Sequence, residues 1–186
     1  MTVIDRIDAA IGMAGGIVRG ITAAQLDGPS PCAGWDLRHE LNHLVGGMRI
    51  FAAELTGTPA GGDHHDDWLG DDHLTAYATA AALDRAAWWQ PDALERTVLL
   101  SFGPTPGPVA ALIHLTEVLV HGADLAVASS RTELVDDEAC EQLLTTMQGM
   151  DIEPFRRMGA FGPAQPADDK APAHRRLLAY LGRVGL

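Results

Sequence analysis

One segment, residues 109–128, places the strongest constraint on how this chain can fold. Its sequence, VAALIHLTEVLVHGADLAVA, is almost entirely apolar but carries four ionisable side chains: His114, Glu117, His121 and Asp124. On a helical wheel of about 100° per residue, all four fall within about 60° of Glu117, together with apolar neighbours. Because an unpaired buried charge is very costly, we expect a buried helix whose ionisable groups meet partners on another element.

Two kinds of partner fit this face, and at this spacing a side-chain hydrogen bond is the more common one. Glu117 and His121 are four residues apart, so they lie one turn apart on the same face. A structural hydrogen-bond network would satisfy them, and so would a divalent metal ion. Imidazole and carboxylate together suit a divalent transition metal, with zinc as the first expectation.

A second amphipathic helix supplies the third candidate ligand, His43. Asp36 is a plausible N-cap and Gly57 a plausible C-terminal stop for this helix. Apolar residues step along it in fours and threes: Leu37, Leu41, Leu44, Met48, Phe51 and Leu55. His43 lies about 120° from the middle of that stripe, which predicts a position at the edge of a bundle, facing a cleft. Three protein ligands would leave one coordination position of the metal open.

The rest of the chain favours an all-α fold in a single domain over residues 1–186. The chain is 47% hydrophobic but only 5% aromatic, and alanine and leucine dominate, which favours helix over sheet. Residues 95–102 look extended, GPTPGP looks like a loop, and the Trp88–Trp89 pair is expected in the core or at a pocket rim. Helices are predicted at about 3–24, 36–56, 71–90, 105–129, 136–147 and 172–183, with the core over about 1–130 and a C-terminal helical extension over about 131–186.

Charge and cysteine content exclude several classes of function. The net charge is −12 and the pI is near 4.9, which argues against binding nucleic acid or an anionic membrane surface. The N-terminus does not resemble a signal peptide, and no apolar run is expected to span a bilayer. Two cysteines make no disulfide framework, so we expect a cytoplasmic protein, either a monomer or a homodimer.

Two other groups of residues were considered as sites. Histidines and aspartates cluster between residues 63 and 73, but the loop is glycine-rich, and we interpret it as a solvated loop without a rigid framework. Cys32 precedes a helix N-terminus, where the pKa of a thiol tends to fall. We nevertheless interpret Cys32 as a small packing residue.

Three stretches together resemble a known family. PSPCAGWDLRHELNHLVGGMRIFAAELTG and LIHLTEVLVHGADLA are similar to the two signatures of the actinobacterial branch of the DinB-like superfamily, the group related to mycothiol-dependent maleylpyruvate isomerase. FGPAQPADDKAPAHRRLLAYLGR resembles the tail of a short subfamily of that group. The resemblance covers nearly the whole chain.

The resemblance implies an up-down-down-up four-helix bundle with extra C-terminal helices. It also implies a zinc or nickel ion held by a histidine on the second helix and a Glu-x-x-x-His pair on a later helix. Carried over to this chain, those ligands are His43, Glu117 and His121. His114 is an additional candidate ligand, and Asp124 is a candidate to orient a ligand.

The function predicted from these features is a metal-dependent enzyme that uses a low-molecular-weight thiol such as mycothiol. The thiol would act on a small electrophile, by transfer or by assisted isomerisation. The alternatives are a non-catalytic bundle that binds metal or a small molecule, and a structural bundle whose Glu117–His121 pair is only a hydrogen bond. Isomerisation of maleylpyruvate itself is not expected, because the isomerase carries a longer C-terminal domain that helps to hold substrate.

Overall fold

The computed structural model describes residues 1–186, and helices make up most of it. The helices are α1 (Val3–Val18), α2 (Leu37–Thr56), α3 (His73–Trp88), α4 (Gly107–Ala128), α5 (Asp137–Gln148), α6 (Glu153–Arg157) and α7 (Ala173–Tyr180). One hairpin, β1 (Thr97–Leu100) paired antiparallel with β2 (Gly103–Pro106), lies between α3 and α4. The all-α prediction is confirmed.

Side-chain caps fix where three of the helices begin. The carboxylates of Asp36, Asp72 and Asp136 each accept the backbone N–H three residues later, at 2.7, 3.1 and 2.9 Å. These bonds satisfy N–H groups that have no partner within the helix. Gly57 ends α2 with a positive φ of 68°, a conformation that glycine adopts without steric cost.

Helices α1 and α4 run parallel and in close contact. Inside both helices, Gly122 lies against Met13, and a Cβ atom at position 122 would meet the Met13 methyl group at 2.8 Å. Beyond the ends of both helices, the Arg131 guanidinium donates to the Gly20 carbonyl at 3.1 Å. Because residue numbers increase together along the two helices, they point in the same direction.

Helix α3 runs antiparallel to α1. The Tyr77 hydroxyl donates to the Ile11 carbonyl at 2.8 Å, and the Arg85 guanidinium donates to the Asp8 carboxylate at 2.6 Å. Numbers increase along α3 as they decrease along α1, which defines the opposite direction.

Helix α2 runs antiparallel to α4. The Phe51 ring lies 4.3 Å from the His114 ring, while Glu40, near the start of α2, contacts His121, further along α4. With α1 and α4 up and α2 and α3 down, the bundle has the predicted up-down-down-up arrangement.

Helix α4 is the core helix of this bundle. Our expectation that no apolar run could span a bilayer was wrong by length and composition, because α4 has 22 residues and a mean hydropathy of 1.4 over its most apolar window. In the folded chain, however, 78% of that window is buried. Such burial is what the central helix of a bundle shows.

Several element boundaries differ from the predictions. Helix α1 ends at Val18 instead of about residue 24: glycine, a weak helix former, follows the C-cap residue Arg19, and the Gly20 carbonyl accepts from Arg131. The GPTPGP segment is not a simple loop: residues 103–106 pair with β1. Trp88 is buried, whereas Trp89 is 56% exposed. Helix α6 was not predicted at all.

The C-terminal segment packs back onto the bundle. Helices α5 and α7 contact each other and α4, and one hydrophobic cluster of 43 buried residues extends from α1 to Leu181. The chain then brings Arg183, which is only 6% exposed, against Asp124 on α4. This placement matters for the candidate site.

Candidate metal centre

Three of the predicted ligands converge between α2 and α4. The Glu117 Oε2 atom lies 3.0 Å from His43 Nε2 and 3.2 Å from His121 Nε2. One ligand atom from each residue lies within 4.8 Å of the other two. Ligands about 2.0–2.1 Å from a tetrahedral zinc ion are separated from each other by about 3.3 Å. The donor set therefore fits a divalent ion with small adjustments, and metal binding stays a prediction.

The candidate centre opens onto solvent through a cavity. The His121 side chain is 7% exposed, His43 28% and Glu117 37%. His43 and Glu117 line a cavity of about 710 Å³ bounded by α2, α4, the β-hairpin and the α6 region. Its volume lies in the range of small-molecule sites, and His43 faces the cleft as its place beside the apolar stripe predicts.

A buried carboxylate, Glu40, supports His121 from behind. Glu40 contacts the Nδ1 atom of His121 and is fully buried. Its other oxygen accepts a hydrogen bond from the Ser30 hydroxyl at 2.5 Å. A carboxylate on the second nitrogen of a ligating histidine fixes the tautomer and the orientation of the ring. Glu40 was not among the predicted site residues, although it lies inside the apolar stripe, three residues after Leu37 and four before Leu44.

Asp124, the residue predicted to orient a ligand, has a different partner. Its Oδ2 atom lies 3.8 Å from His121 Nδ1, but 3.0 Å from both Nε and Nη2 of Arg183. Glu40, His121 and Asp124 form a second close group of ligand atoms. Because Arg183 already engages the Asp124 carboxylate, we interpret that group as a buried ionic network. No sequence signal pointed to Arg183.

The electrostatics follow from burial opposed by pairing. Burial raises the pKa of Glu117, but hydrogen bonds from His121 and His43 outweigh it and hold this pKa well below its usual range. Burial lowers the pKa of His121, yet carboxylates on both ring nitrogens raise it to about 10. Burial and the nearby Glu40 charge raise the pKa of Asp124 to about 7, against the pull of Arg183.

Aromatic rings enclose the two histidines. The Trp35 ring, from the turn before α2, stacks on His121 at 5.9 Å and lies 5.1 Å from His43. On another side, His64 stacks on His43 at 6.2 Å. Trp35 and His64 therefore help to limit the access of water to the candidate ligands.

The loop that carries His64 is better anchored than its composition suggested. The Asn42 side chain accepts the Trp68 backbone N–H at 2.7 Å and donates to the Asp66 carbonyl at 2.9 Å. The expectation of a loop without a framework was wrong, because α2 provides one. None of the loop residues belongs to either close group of candidate metal ligands.

His114, the extra candidate ligand, is paired elsewhere. Its Nε2 atom lies 2.6 Å from Asp84 Oδ2 on α3, with 1% of His114 and none of Asp84 exposed. The ring is flanked by Phe51 at 4.3 Å and stacks on Trp88 at 5.5 Å. The structure therefore places His114 in a separate buried pair.

Cys32 lies near the buried network. Its pKa is raised, whereas a thiol near a helix N-terminus tends to have a lowered pKa. The thiol is half-buried, and burial raises its pKa to about 11, although Arg183 acts in the opposite direction. A thiol with this pKa is protonated at neutral pH and is a poor nucleophile.

Known proteins share this fold and sequence pattern. The family model of the mycothiol maleylpyruvate isomerase N-terminal domain matches residues 8–126. Two uncharacterised proteins of Mycobacterium tuberculosis, MT0763 (strain CDC 1551 / Oshkosh) and Rv0738 (strain ATCC 25618 / H37Rv), are each 30% identical over 174 residues, or 90% of both chains. Two crystal structures superpose on this chain: the mycothiol-dependent maleylpyruvate isomerase H52A mutant, with a TM-score of 0.54, and the mycothiol-dependent maleylpyruvate isomerase, with a TM-score of 0.51. They are 16% and 17% identical, and each match covers 79% of this chain and 72% of the other.

The solved structures show a common fold, and the family model covers well over half of the chain. The family resemblance drawn from the three sequence stretches is thus confirmed. This chain belongs to the mycothiol maleylpyruvate isomerase N-terminal domain family, with its DinB-like helical fold.

Proposed function

We propose that this protein is a metal-dependent enzyme that uses a low-molecular-weight thiol such as mycothiol. The thiol is either transferred to a small electrophile or assists its isomerisation. The observation that carries the proposal is the convergence of two imidazole Nε2 atoms on one oxygen of Glu117, at 3.0 and 3.2 Å, at the edge of a cavity. Membership of a family named for a mycothiol-dependent isomerase supports the choice of thiol.

Three residues would bind the metal ion, and two others would orient and cover the ligands. His43, Glu117 and His121 would hold the ion, with zinc as the first candidate and nickel as the second. When bound, such an ion supplies an open coordination position at which a thiol loses its proton readily. Glu40 holds the His121 ring in one orientation through its Nδ1 atom, and Trp35 covers the faces of both histidines.

The cavity has room for a second reactant beside this position. It extends from His43 and Glu117 along α2 and α4 to the hairpin, so an electrophile inside it would lie next to a thiol at the centre. Holding two reactants together in the right orientation converts a bimolecular reaction into a local one.

Two other functions are outcomes of the same test. A bundle that binds metal or a small molecule without turnover would retain the ion but not respond to thiol. A structural bundle would bind no stoichiometric ion, because the hydrogen bonds of Glu117 to both histidines already satisfy that carboxylate.

The test is the visible spectrum of cobalt-substituted protein titrated with mycothiol. We expect a new sulfur-to-metal charge-transfer band, because thiolate is a soft ligand that suits such an ion. His121→Ala should abolish it. His65→Ala, which removes an exposed imidazole in the loop, and Cys32→Ser should retain it. A wild-type spectrum unchanged at millimolar thiol would remove the thiol-dependent function.

A further inference from the structure

The cavity beside the candidate centre is lined without a single lysine or arginine. Twelve of its nineteen lining residues are hydrophobic, and the ionisable ones are His43, His64, His114 and Glu117. His114 is already paired with Asp84. The remaining three ionisable groups lie together, since His64 stacks on His43 and Glu117 bonds to it. The cavity therefore has one polar end.

The rest of the cavity wall is mostly apolar and comes from α2, α4, the hairpin and the α6 region. Leu99 and Phe102 are 58% and 55% exposed, and Met158 is 60% exposed, at the opening. Phe155 completes this side. Large exposed hydrophobic side chains at a cavity mouth indicate a surface used for binding.

Two nearby guanidinium groups are engaged elsewhere, and a third, that of the exposed Arg157 before Met158, does not line the cavity. Arg156, next to Phe155 on α6, donates to the carbonyls of Gly162 and Tyr180. Arg49 on α2 lies over the Trp68 ring at 5.6 Å. An anionic group in the apolar part of the cavity would thus lose water without gaining a positive partner, which is costly.

We propose that the electrophile is an uncharged molecule with one reactive polar end at His43 and Glu117 and an apolar body along the hairpin and α6. That the ligand is an electrophile rests on the proposed function. That it is uncharged and largely apolar rests on the cavity lining alone. A dicarboxylate such as maleylpyruvate would place a charge where the wall offers none. The substrate class of this chain therefore differs from the compound that names the family.

The test compares two ketones with the same reactive end. 4-Phenylbut-3-en-2-one is neutral, and its para-carboxyphenyl analogue carries a charge at the far end of the body. We titrate each into zinc-loaded protein by calorimetry in the absence of thiol, so that no transfer occurs. The neutral ketone should bind at least about tenfold more tightly, which corresponds to about 1.4 kcal/mol. Equal affinity, tighter binding of the carboxylate, or no binding of either at millimolar concentration would overturn the inference.

Two exposed substitutions locate the selectivity. Phe102→Lys adds an ammonium group at the cavity mouth and should reduce the preference for the neutral ketone severalfold. Leu83→Lys, on the outside of α3 and 48% exposed in the wild type, should leave it unchanged. Equal effects of the two variants would overturn the placement of the ligand. The calorimetry contains no thiol, so the two tests can fail separately. If the cobalt spectrum does not respond to thiol but the neutral ketone is still preferred, the thiol-dependent function is wrong and the inference about the apolar ligand stands.

Discussion

Two histidine–carboxylate clusters lie on the same face of α4, seven residues apart, and they differ in almost every physical respect. His121 has a carboxylate on each ring nitrogen and a second histidine, His43, across the same Glu117 oxygen. His114 has one carboxylate, Asp84, and aromatic rings on its faces. His43 and Glu117 of the first cluster are 28% and 37% exposed beside the cavity, whereas His114 and Asp84 of the second are 1% and 0% exposed.

The difference shows that position on a helical wheel is not enough to define a metal site. Both histidines share the face that the sequence predicts, and what decides their roles is the helix opposite. At His121, α2 offers a second imidazole and access for a ligand. At His114, Phe51 and Trp88 fill the space and α3 provides only a partner for one nitrogen. A coordination site needs converging donors and an open side, and only the first cluster has both.

The largest stability effect is expected at the closed cluster. Asp84→Ala leaves a buried imidazole without its partner, and breaking such a buried pair costs about 3–5 kcal/mol of unfolding free energy. Urea denaturation measures it, with Asp8→Ala as the control. Asp8 pairs with Arg85 at a half-exposed site, where loss should cost less than about 1 kcal/mol. A cost at Asp84 as small as that at Asp8 would show that the closed pair is not a structural element.

An intermediate effect is expected behind the open cluster. Glu40→Gln removes the charge that orients His121 and should weaken zinc binding about 10–100-fold, as supporting carboxylates typically do. Competition with a chromophoric chelator measures the affinity. Glu95→Gln, an exposed glutamate outside the cluster, should have no effect. Unchanged affinity in Glu40→Gln would mean that Glu40 serves the fold and not the centre.

The smallest effect is expected at a third pair, on the C-terminal extension. Asp137 accepts from the His174 backbone N–H at 3.0 Å and lies 2.6 Å from its Nδ1, with the carboxylate 47% exposed. Burial raises the pKa of Asp137, but the hydrogen bonds from His174 together with its charge outweigh burial and lower this pKa overall. A lowered folded-state pKa gives stability that is present above the unfolded pKa of about 3.9 and is lost as the pH falls through the folded value.

Comparing Asp137→Asn with the wild type at several pH values tests that sign. The variant should be less stable by under about 1 kcal/mol near pH 7, and the difference should shrink below about pH 4. A difference that grows on acidification would contradict the assignment.

The sequence predicted the parts of this molecule that local chemistry controls. The cap at Asp36 and the stop at Gly57 were predicted, and the caps at Asp72 and Asp136 depend on the same local chemistry. The apolar stripe of α2 and the face of α4 follow from periodicity alone. The grouping of His43, Glu117 and His121, by contrast, was implied by the family resemblance and not by periodicity.

Contacts between distant segments were not predictable in the same way. Arg183 reaches Asp124 only because the C-terminal tail folds under α4, 59 residues away along the chain. The strand at residues 103–106 contains two prolines, which weaken any sequence signal for a strand, yet a two-stranded hairpin has open edges that tolerate them. Glu40 could have been found, because a charged residue inside an apolar stripe indicates a buried partner.

The most direct test of the contrast between the two clusters is the metal content of protein purified without a histidine tag. The open cluster should hold about one divalent ion per chain, and His43→Ala and Glu117→Ala should each lose most of it. Asp84→Asn at the closed pair, and His64→Ala combined with His65→Ala in the loop, should retain it. Full occupancy in both His43→Ala and Glu117→Ala, or loss only in the loop variant, would contradict the assignment of the metal centre to His43, Glu117 and His121.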